Sequence, residues 1–368
     1  MKKFFLAAFV LFIFLYSSIA QMDLPPSGGN PRATISEEVG ITSITIKYSR
    51  PDVNKREGKI WGDGNVVTYG FTSLNLNTNQ NTQPWRAGAN ENTTITFEHD
   101  VKVEGKDLKA GTYGLHMALW PDKATIIFSN QSEAWGSFYY DPKFDALRVD
   151  VKPVALDKSV EYLKYEFIEH KDKSCVIAMQ WEKLSVPFRI DVDVDNIVMA
   201  RLREQVTSGR GFNPFLMQGA ANFALNKNIY PEEALSWAQR AALTKTYSTL
   251  NTLATAYTKL NRLKEADSTI NEALVFANAN QYLNIGRGLI QAKRIDRSLE
   301  IFNAAQKKFG DAFTVNAGFM SYYSAKGDYK KALEHANKAL AQAPNEQVKA
   351  AVNANIARLK EGKDINQQ

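Results

Sequence analysis

The C-terminal half of this chain repeats itself, and the repetition constrains the fold more than any other feature. From Pro214 onward the sequence is rich in Ala, Leu and Lys and has a helical period. A small residue recurs at steps of 32, 32 and 34 residues, at Ala234, Ala266, Ser298 and Ala332. This period is typical of stacked helix pairs, where small residues let two helices cross closely. The spacing predicts a helical repeat array over residues 214–360.

The clearest copy of the repeat lies near the C-terminus. Residues 326–333 read KGDYKKAL, with a further Ala-Leu pair and Pro344 after them. A glycine turn, an aromatic residue opening the second helix, alanines at the crossing and a proline at the exit resemble the tetratricopeptide repeat. The resemblance covers about Pro214 to Pro344. Glu346 to Leu359 is expected to form a capping helix, and residues 361–368 a disordered tail.

Tetratricopeptide arrays usually hold other proteins, so the resemblance implies a protein or peptide partner. Stacked helix pairs leave a concave face on which polar and aromatic residues can line a groove. The residues predicted to line this groove are Asn222, Asn251, Tyr257 and Tyr282. Each of them also suits simple packing between repeats.

The N-terminal half has a different period. Between about residues 32 and 194, apolar and polar residues alternate in roughly nine short segments with turn signals between most of them. Alternating strands without intervening helices predict an antiparallel β-sandwich or jelly roll, because two half-buried sheets must cover each other's apolar faces. The fold class is therefore an all-β domain followed by an all-α solenoid. Residues 195–213 are predicted to be a helical linker ending at Ser208-Gly209-Arg210-Gly211.

The first twenty residues resemble a secretory signal. Lys2 and Lys3 precede an apolar run from Phe4 to Tyr16, and Ser18-Ile19-Ala20 provides small residues for a signal peptidase. The next residue is Gln21, so the cysteine of a lipid-anchored protein is missing. We expect cleavage after residue 20, a flexible lead-in over 21–31, no integral membrane segment after cleavage, and a periplasmic or secreted location.

Charge and cysteine content exclude several classes of protein. The formal charge of +6 becomes +4 once Lys2 and Lys3 are removed, and basic residues alternate with acidic ones along the chain. Nucleic acid is therefore not an expected partner. The single cysteine, Cys175, lies in an apolar strand-like run, which predicts a buried unreactive thiol.

No cofactor and no metal are predicted. The sequence has no phosphate-binding loop, dinucleotide fingerprint or nucleophile elbow. The four histidines (His99, His116, His170 and His335) are scattered and have no metal-binding spacing.

One loop concentrates the groups that form polar sites. Residues 84–97 read PWRAGANENTTITF, which crowds an indole, a guanidinium, an amide and a carboxylate into a glycine-containing turn before a strand. Other short motifs follow the same order as in the exported bacterial family known as domain of unknown function 2911, which residues 31–192 resemble. These motifs are YSRP at 48–51, GKIWG at 58–62, AGTYG at 110–114 and WGSFYY at 135–140. The resemblance implies an exported β domain and no particular reaction. The polar run from Asn75 to Gln83 is an insertion relative to that family.

The candidate ligand site gathers residues from this loop and two nearby strands. Arg86 can clamp a carboxylate or a pair of hydroxyls, Glu91 or His116 can accept a proton, and the Trp85 indole can stack on an apolar or sugar face. The full predicted set is Arg50, Trp85, Arg86, Asn90, Glu91 and His116. The competing interpretation is that Arg86 and Glu91 form a pair that only holds the loop in place.

These patterns leave three functions open. The first is a non-catalytic binding or scaffold protein of the cell envelope, with a partner on the helices and a small ligand on the sandwich. The second is a periplasmic hydrolase centred on Arg86, Glu91 and His116. The third is a carbohydrate-binding module, because exposed Trp and Tyr on a β-sandwich can form platforms for sugars.

Overall fold

The computed structural model describes residues 29–73 and 82–367, which form two compact units dividing between Val198 and Met199. The predicted signal peptide, positions 21–28 of the lead-in and positions 75–81 of the polar run lie outside the described residues.

The N-terminal unit is built from two antiparallel sheets. The six-stranded sheet has the order β1-β2-β3-β6-β7-β8, and the four-stranded sheet has the order β5-β4-β10-β9. The strands are β1 (Arg32–Val39), β2 (Thr42–Ser49), β3 (Thr94–Phe97), β4 (Val101–Val103), β5 (Lys106–Leu108), β6 (Gly111–Leu119), β7 (Ala124–Ser129), β8 (Asp145–Val151), β9 (Val154–Lys171) and β10 (Ser174–Val192).

The two sheets share one hydrophobic core. On β2 the alternating residues Ile44 and Ile46 are fully buried, as the period of two requires. From the other sheet Phe188 meets Phe128 edge to face, with ring centroids 6.3 Å apart. The predicted β-sandwich is therefore confirmed. Cys175 lies in the same core, and burial raises its pKa to about 12, as expected for an unreactive thiol.

Two strands differ from the prediction. β1 was not predicted as a strand because Glu37 and Glu38 interrupt its alternation, which a strand at a sheet edge tolerates. Residues 175–181 and 186–192, which are two of the alternating segments and predict two separate strands, form one continuous strand, β10. A register shift surrounds Glu182, which has a φ of 53°, so the strand passes through a bulge instead of ending.

The C-terminal unit consists of helices that pack as antiparallel neighbours. α2 packs with α3, α4 with α5, α6 with α7 and α8 with α9, while α10 covers the last pair. The helices are α1 (Val194–Thr207), α2 (Pro214–Lys227), α3 (Pro231–Ala241), α4 (Tyr247–Lys259), α5 (Leu263–Phe276), α6 (Ala279–Gln291), α7 (Ile295–Phe309), α8 (Phe313–Ala325), α9 (Tyr329–Ala341) and α10 (Glu346–Lys360). No helix in the described part of the chain is long and apolar enough to cross a membrane.

The small residues that revealed the period occupy equivalent places. Ala234, Ala266, Ser298 and Ala332 each lie early in the second helix of a pair, and each has no exposed surface. Close helix crossing at these points excludes larger side chains. The predicted array of tetratricopeptide-like helix pairs is therefore confirmed.

The segment after α10 differs from the predicted disordered tail. The Ser324 hydroxyl donates to Asp364 Oδ1 at 2.7 Å, the Ile365 amide donates to Ser324 Oγ at 2.9 Å, and Asn366 Nδ2 donates to the Ser321 carbonyl at 2.9 Å. Ile365 also packs on the apolar cluster of the last helices. Side-chain hydrogen bonds and one apolar anchor hold this segment, although its composition is polar.

Candidate functional site

The loop that precedes β3 is held in an unusual backbone conformation. Trp85 and Met117 of β6 exchange two backbone hydrogen bonds of 2.9 Å, which fix the start of the loop. Ala87 and Asn90 then adopt left-handed φ values of 50° and 59°. A side chain on Gly88 would lie 2.5 Å from Thr93 Oγ1, so this position requires glycine. Strained residues of this kind persist where the surrounding structure determines them.

Hydrogen bonds to a buried carbonyl stabilise the strained turn. The buried Ala87 carbonyl accepts hydrogen bonds from Thr93 Oγ1 at 3.1 Å and from the Tyr165 hydroxyl at 2.8 Å. Tyr165 lies on β9 in the four-stranded sheet, and its ring meets that of Tyr48 edge to face at 4.9 Å. Both sheets therefore contribute to the position of the loop.

Three tryptophans pack together at the same place. The Trp85 ring stacks on Trp181 with centroids 6.1 Å apart, and Trp61 meets both rings edge to face at 5.7 and 5.4 Å. The Trp85 indole donates to the Gly88 carbonyl at 3.1 Å. The cluster gives the site two rigid aromatic walls.

A cleft of about 380 Å³ opens beside these rings, and we call it the tryptophan cleft. Its volume lies within the range of ~300–1,000 Å³ that is typical of small-molecule sites. Its lining residues include Trp85, Arg86, Asn90, Ser137 and Trp181.

Arg86 brings a cation to the edge of the cleft. Its Nη1 donates to the Asn90 carbonyl at 2.6 Å, and its guanidinium lies 4.7 Å from the centre of the Phe138 ring. Gly136 packs so closely that an added Cβ would lie 2.4 Å from Nη1. Burial lowers the Arg86 pKa, and no carboxylate among the described residues pairs with it. The guanidinium is thus positioned by neutral groups.

His116 lies behind Arg86 and bonds to the cleft wall. Its Nδ1 is 3.0 Å from Ser137 Oγ, and its ring meets Tyr140 edge to face at 5.4 Å. Burial and the neighbouring Arg86 cation lower the His116 pKa from 6.5 to about 3. The imidazole is therefore neutral at physiological pH and resists protonation.

The structure does not bring all six predicted ligand residues together. Trp85, Arg86 and Asn90 line the cleft, and His116 reaches it through Ser137. Arg50 instead donates from Nε to the Leu163 carbonyl at 2.9 Å. Glu91 pairs with Arg32 and accepts from Ser49 Oγ at 3.4 Å. The pair of Arg86 with Glu91, which was the competing interpretation of the loop, does not form; Asn90 between them has a left-handed backbone, and Glu91 pairs with Arg32.

Two cleft residues were missed in the sequence. Trp181 comes from the opposite sheet, almost one hundred residues after the loop, so no local pattern links the two. Ser137 lies in the WGSFYY motif, whose glycine and aromatic residues could have indicated a turn next to the site. Among the described residues, no group of three His, Cys, Asp or Glu side chains could hold a metal ion.

The helical unit has a concave site of its own. α4 and α6 approach each other less closely than α2 and α4 or α6 and α8 do, and a groove of about 350 Å³ opens there. We call it the α4–α6 groove. Its apolar lining residues include Ala254, Ile270, Ile285 and Leu289, and its polar lining residues include Asn251, Thr255, Thr258 and Asn284.

Only one of the four predicted groove residues lines this groove. Asn251 does so, whereas Asn222 accepts a hydrogen bond from Thr252 Oγ1 at 3.0 Å between α2 and α4. The Tyr257 hydroxyl accepts from Gln239, and its ring lies under the Arg262 guanidinium. Tyr282 is 5% exposed and donates to the Leu274 carbonyl at 3.1 Å, so it belongs to the core.

Comparison with known proteins agrees with this division of the chain. Residues 30–190 match the profile of the family described as "Protein of unknown function (DUF2911)". This match covers the β domain and less than half of the whole chain. No curated protein matches the chain. The family description assigns no activity to the DUF2911 domain or to its tryptophan cleft.

Several solved structures resemble the helical region. A tetratricopeptide repeat protein from Parabacteroides merdae ATCC 43184 is 16% identical, with 46% of this chain and 69% of that one covered and a TM-score of 0.31. A thermophilic tetratricopeptide repeat protein from Thermus thermophilus is 17% identical, with 45% and 91% covered and a TM-score of 0.32. The APC/C hetero-tetramer Cut9-Hcn1 is 17% identical with a TM-score of 0.32; 46% of this chain and only 33% of that one are covered.

Proposed function

We propose that the protein is a non-catalytic scaffold whose helical repeats hold an extended segment of a partner protein in the α4–α6 groove. The observation that carries this proposal is the division of the groove into an apolar floor and an amide-bearing edge. Ile270, Ile285 and Leu289 offer contact to apolar side chains, while Asn251 and Asn284 can each donate to and accept from a peptide backbone.

Of the two cations that line the groove in the described part of the chain, one is paired with a carboxylate and one is not. Arg294 lines the groove, but its Nη2 already donates to both carboxylate oxygens of Asp267, at 2.7 and 2.6 Å. Lys259 donates to Asn228 Oδ1 at 3.2 Å. No acidic residue lines the groove among the described residues. Lys259 has no carboxylate partner among the described residues and can meet an acidic group of the partner, while the rest of the recognition falls to the amides and the apolar floor.

Peptide selection on the full-length protein tests this proposal. We expect random phage-displayed peptides to enrich for apolar segments, and Asn284→Trp, which fills the groove, to weaken the selected peptides at least about tenfold, a loss of about 1.4 kcal/mol. Fluorescence anisotropy with labelled peptides measures the affinities. Lys307→Trp places the same ring on an exposed position of α7 and should leave them unchanged. Equal binding by wild type and Asn284→Trp would contradict the proposal.

The proposal includes export to the bacterial cell envelope, supported by the charged and apolar pattern of residues 2–20. We expect the protein produced in a bacterium to be found outside the cytoplasm with Gln21 as its first residue. Intact mass measured on periplasmic and medium fractions checks this. An intact N-terminus in a purely cytoplasmic protein would be the opposite result.

A second candidate function belongs to the β domain, where the tryptophan cleft binds a small ligand. Its support is the combination of Trp85 and Trp181 as walls with a half-buried Arg86.

The hydrolase alternative has less support, because Glu91 lies outside the cleft. It now depends on Ser137 and His116, and a base whose conjugate acid has a pKa of about 3 accepts a serine proton poorly. We therefore favour binding, including the binding of sugar derivatives.

A further inference from the structure

The polar groups around the tryptophan cleft are short of acceptors. The Trp181 Nε1–H is buried and has no acceptor among the described residues. The Asn90 amide bonds to Asn30 at 3.1 Å through one end and leaves its other end without a partner among these residues. Among the described residues, Arg86 makes one hydrogen bond, to the Asn90 carbonyl. Indole and guanidinium groups can only donate, so the residues that line the cleft carry donors that lack an acceptor.

Among the described residues that line the cleft, the only charged one is the cation Arg86. The polar lining residues of the cleft in the described part of the chain are neutral or cationic: Thr68, Thr72, Gln83, Arg86, Asn90 and Ser137. A half-buried cation without a counterion and a buried donor without an acceptor each cost free energy, and a ligand with anionic oxygens removes both costs. The Arg86 guanidinium would repel a cationic ligand.

The size and the walls of the cleft restrict the chemical class of the ligand further. One guanidinium matches one carboxylate, to which it can donate two parallel hydrogen bonds. The remaining walls include Pro51, Val67, Pro84 and the two stacked tryptophans, and these suit carbon atoms rather than a fully hydrated inorganic ion. A volume of about 380 Å³ accepts a molecule of sugar or amino-acid size.

We propose that the tryptophan cleft binds a small organic carboxylate, with the carboxylate on Arg86 and the carbon skeleton against Trp85 and Trp181. This rests on the proposal that the cleft is a ligand site, and it adds the chemical class of the ligand. Trp181 Nε1–H is the second donor available to a ligand oxygen. Two sources fit this chemistry: a sugar acid and the free C-terminus of an amino acid or short peptide.

Calorimetric titration of the full-length protein with matched pairs tests the proposal. D-glucuronate and D-glucose differ in a carboxylate, and N-acetyl-L-phenylalanine and its amide differ in the same way. We expect one acid to bind at least about tenfold more tightly than its neutral partner, because hydrogen bonds to charged groups are the stronger kind. The acid that binds identifies the source. Arg86→Gln should weaken that acid by a similar factor.

A control variant and an indole N–H resonance distinguish loss of the Arg86 contact from a general effect of mutation. Lys47→Gln removes an exposed cation from β2 of the same domain and should leave the affinity unchanged. The six tryptophans give six indole N–H resonances. The resonance that disappears in Trp181→Phe should shift when the wild type is saturated with the acid. This readout does not depend on the folding of an Arg86 variant.

The outcomes distinguish the proposal that the cleft is a ligand site from the proposal that its ligand is a carboxylate. Equal binding of an acid and its neutral partner, lost when Asn90 or Trp85 is replaced by Ala, overturns the carboxylate assignment and keeps the cleft as a site. Binding that survives Arg86→Gln, or an unmoved Trp181 resonance, overturns the carboxylate assignment. No binding of any of the four probes at about 10 mM, far above the ~1 mM that corresponds to weak binding, overturns both.

Discussion

Lowering the pH from about 7 to about 5 should destabilise the β domain by about 2 kcal/mol through His116 alone, and lowering it to about 4 by about 3 kcal/mol. The His116 pKa is about 3 in the folded domain and near its ordinary 6.5 once the chain unfolds. Between these values the unfolded state binds a proton that the folded state does not. The contribution is therefore fully present above pH 6.5 and lost as the pH falls toward 3.

Urea unfolding of the wild type and His116→Gln at several pH values measures this contribution. Five of the six tryptophans lie in the β domain, so their fluorescence follows that domain. Because carboxylates titrate in the same range, the quantity to compare is the difference between the two proteins. The glutamine can still bond to Ser137 and has no proton to gain. If the unfolding free energies of the wild type and His116→Gln fall in parallel as the pH is lowered, His116 is protonated inside the fold.

Gly286→Ala should destabilise the helical domain by about 1–3 kcal/mol, although alanine favours a helix over glycine by about 1 kcal/mol. A Cβ on Gly286 would lie 2.2 Å from two atoms of the Phe302 ring, and one on Gly318 would lie 2.5 Å from the same ring. Phe302 has no exposed surface, so the ring cannot move aside toward solvent. Urea unfolding followed by far-UV circular dichroism gives the change.

The matched control lies one half-turn away on the same helix. Gly288 faces open space, so Gly288→Ala should stabilise the domain by up to about 1 kcal/mol. Phe302→Leu in the Gly286→Ala background should recover part of the loss, because the smaller side chain leaves room for the methyl group. Destabilisation by Gly286→Ala and Gly288→Ala to the same extent would show that the Phe302 contact is not the cause.

The helical architecture could be predicted because its signal is local and repeated. Ala234 and Ala266 mark the same crossing point in successive pairs. A repeat period of this kind can be recognised even where single residues depart from the pattern. The faces of those helices were harder to assign. Tyr282 and Asn251 both suit a concave surface, yet Tyr282 is in the core because its hydroxyl finds the Leu274 carbonyl there.

The cleft was predictable only where its residues are close in sequence. Trp85 and Arg86 were found because they share one loop, and Trp181 was not because only sheet packing brings it near. Sequence proximity also misled the prediction for Glu91. It follows Asn90, whose left-handed backbone turns the chain, and the carboxylate reaches Arg32 instead of Arg86. Asparagine adopts this conformation more readily than most residues, but its presence alone does not show that the chain turns there.

The two walls of the tryptophan cleft belong to different layers of the sandwich. Trp85 is joined to β6 of one sheet, and Trp181 is part of β10 of the other. Sliding of one sheet over the other must therefore change the width of the cleft. A molecule that lies against both rings contacts both sheets and opposes this shear. Its binding should slow the unfolding of the whole sandwich, including strands that never touch it.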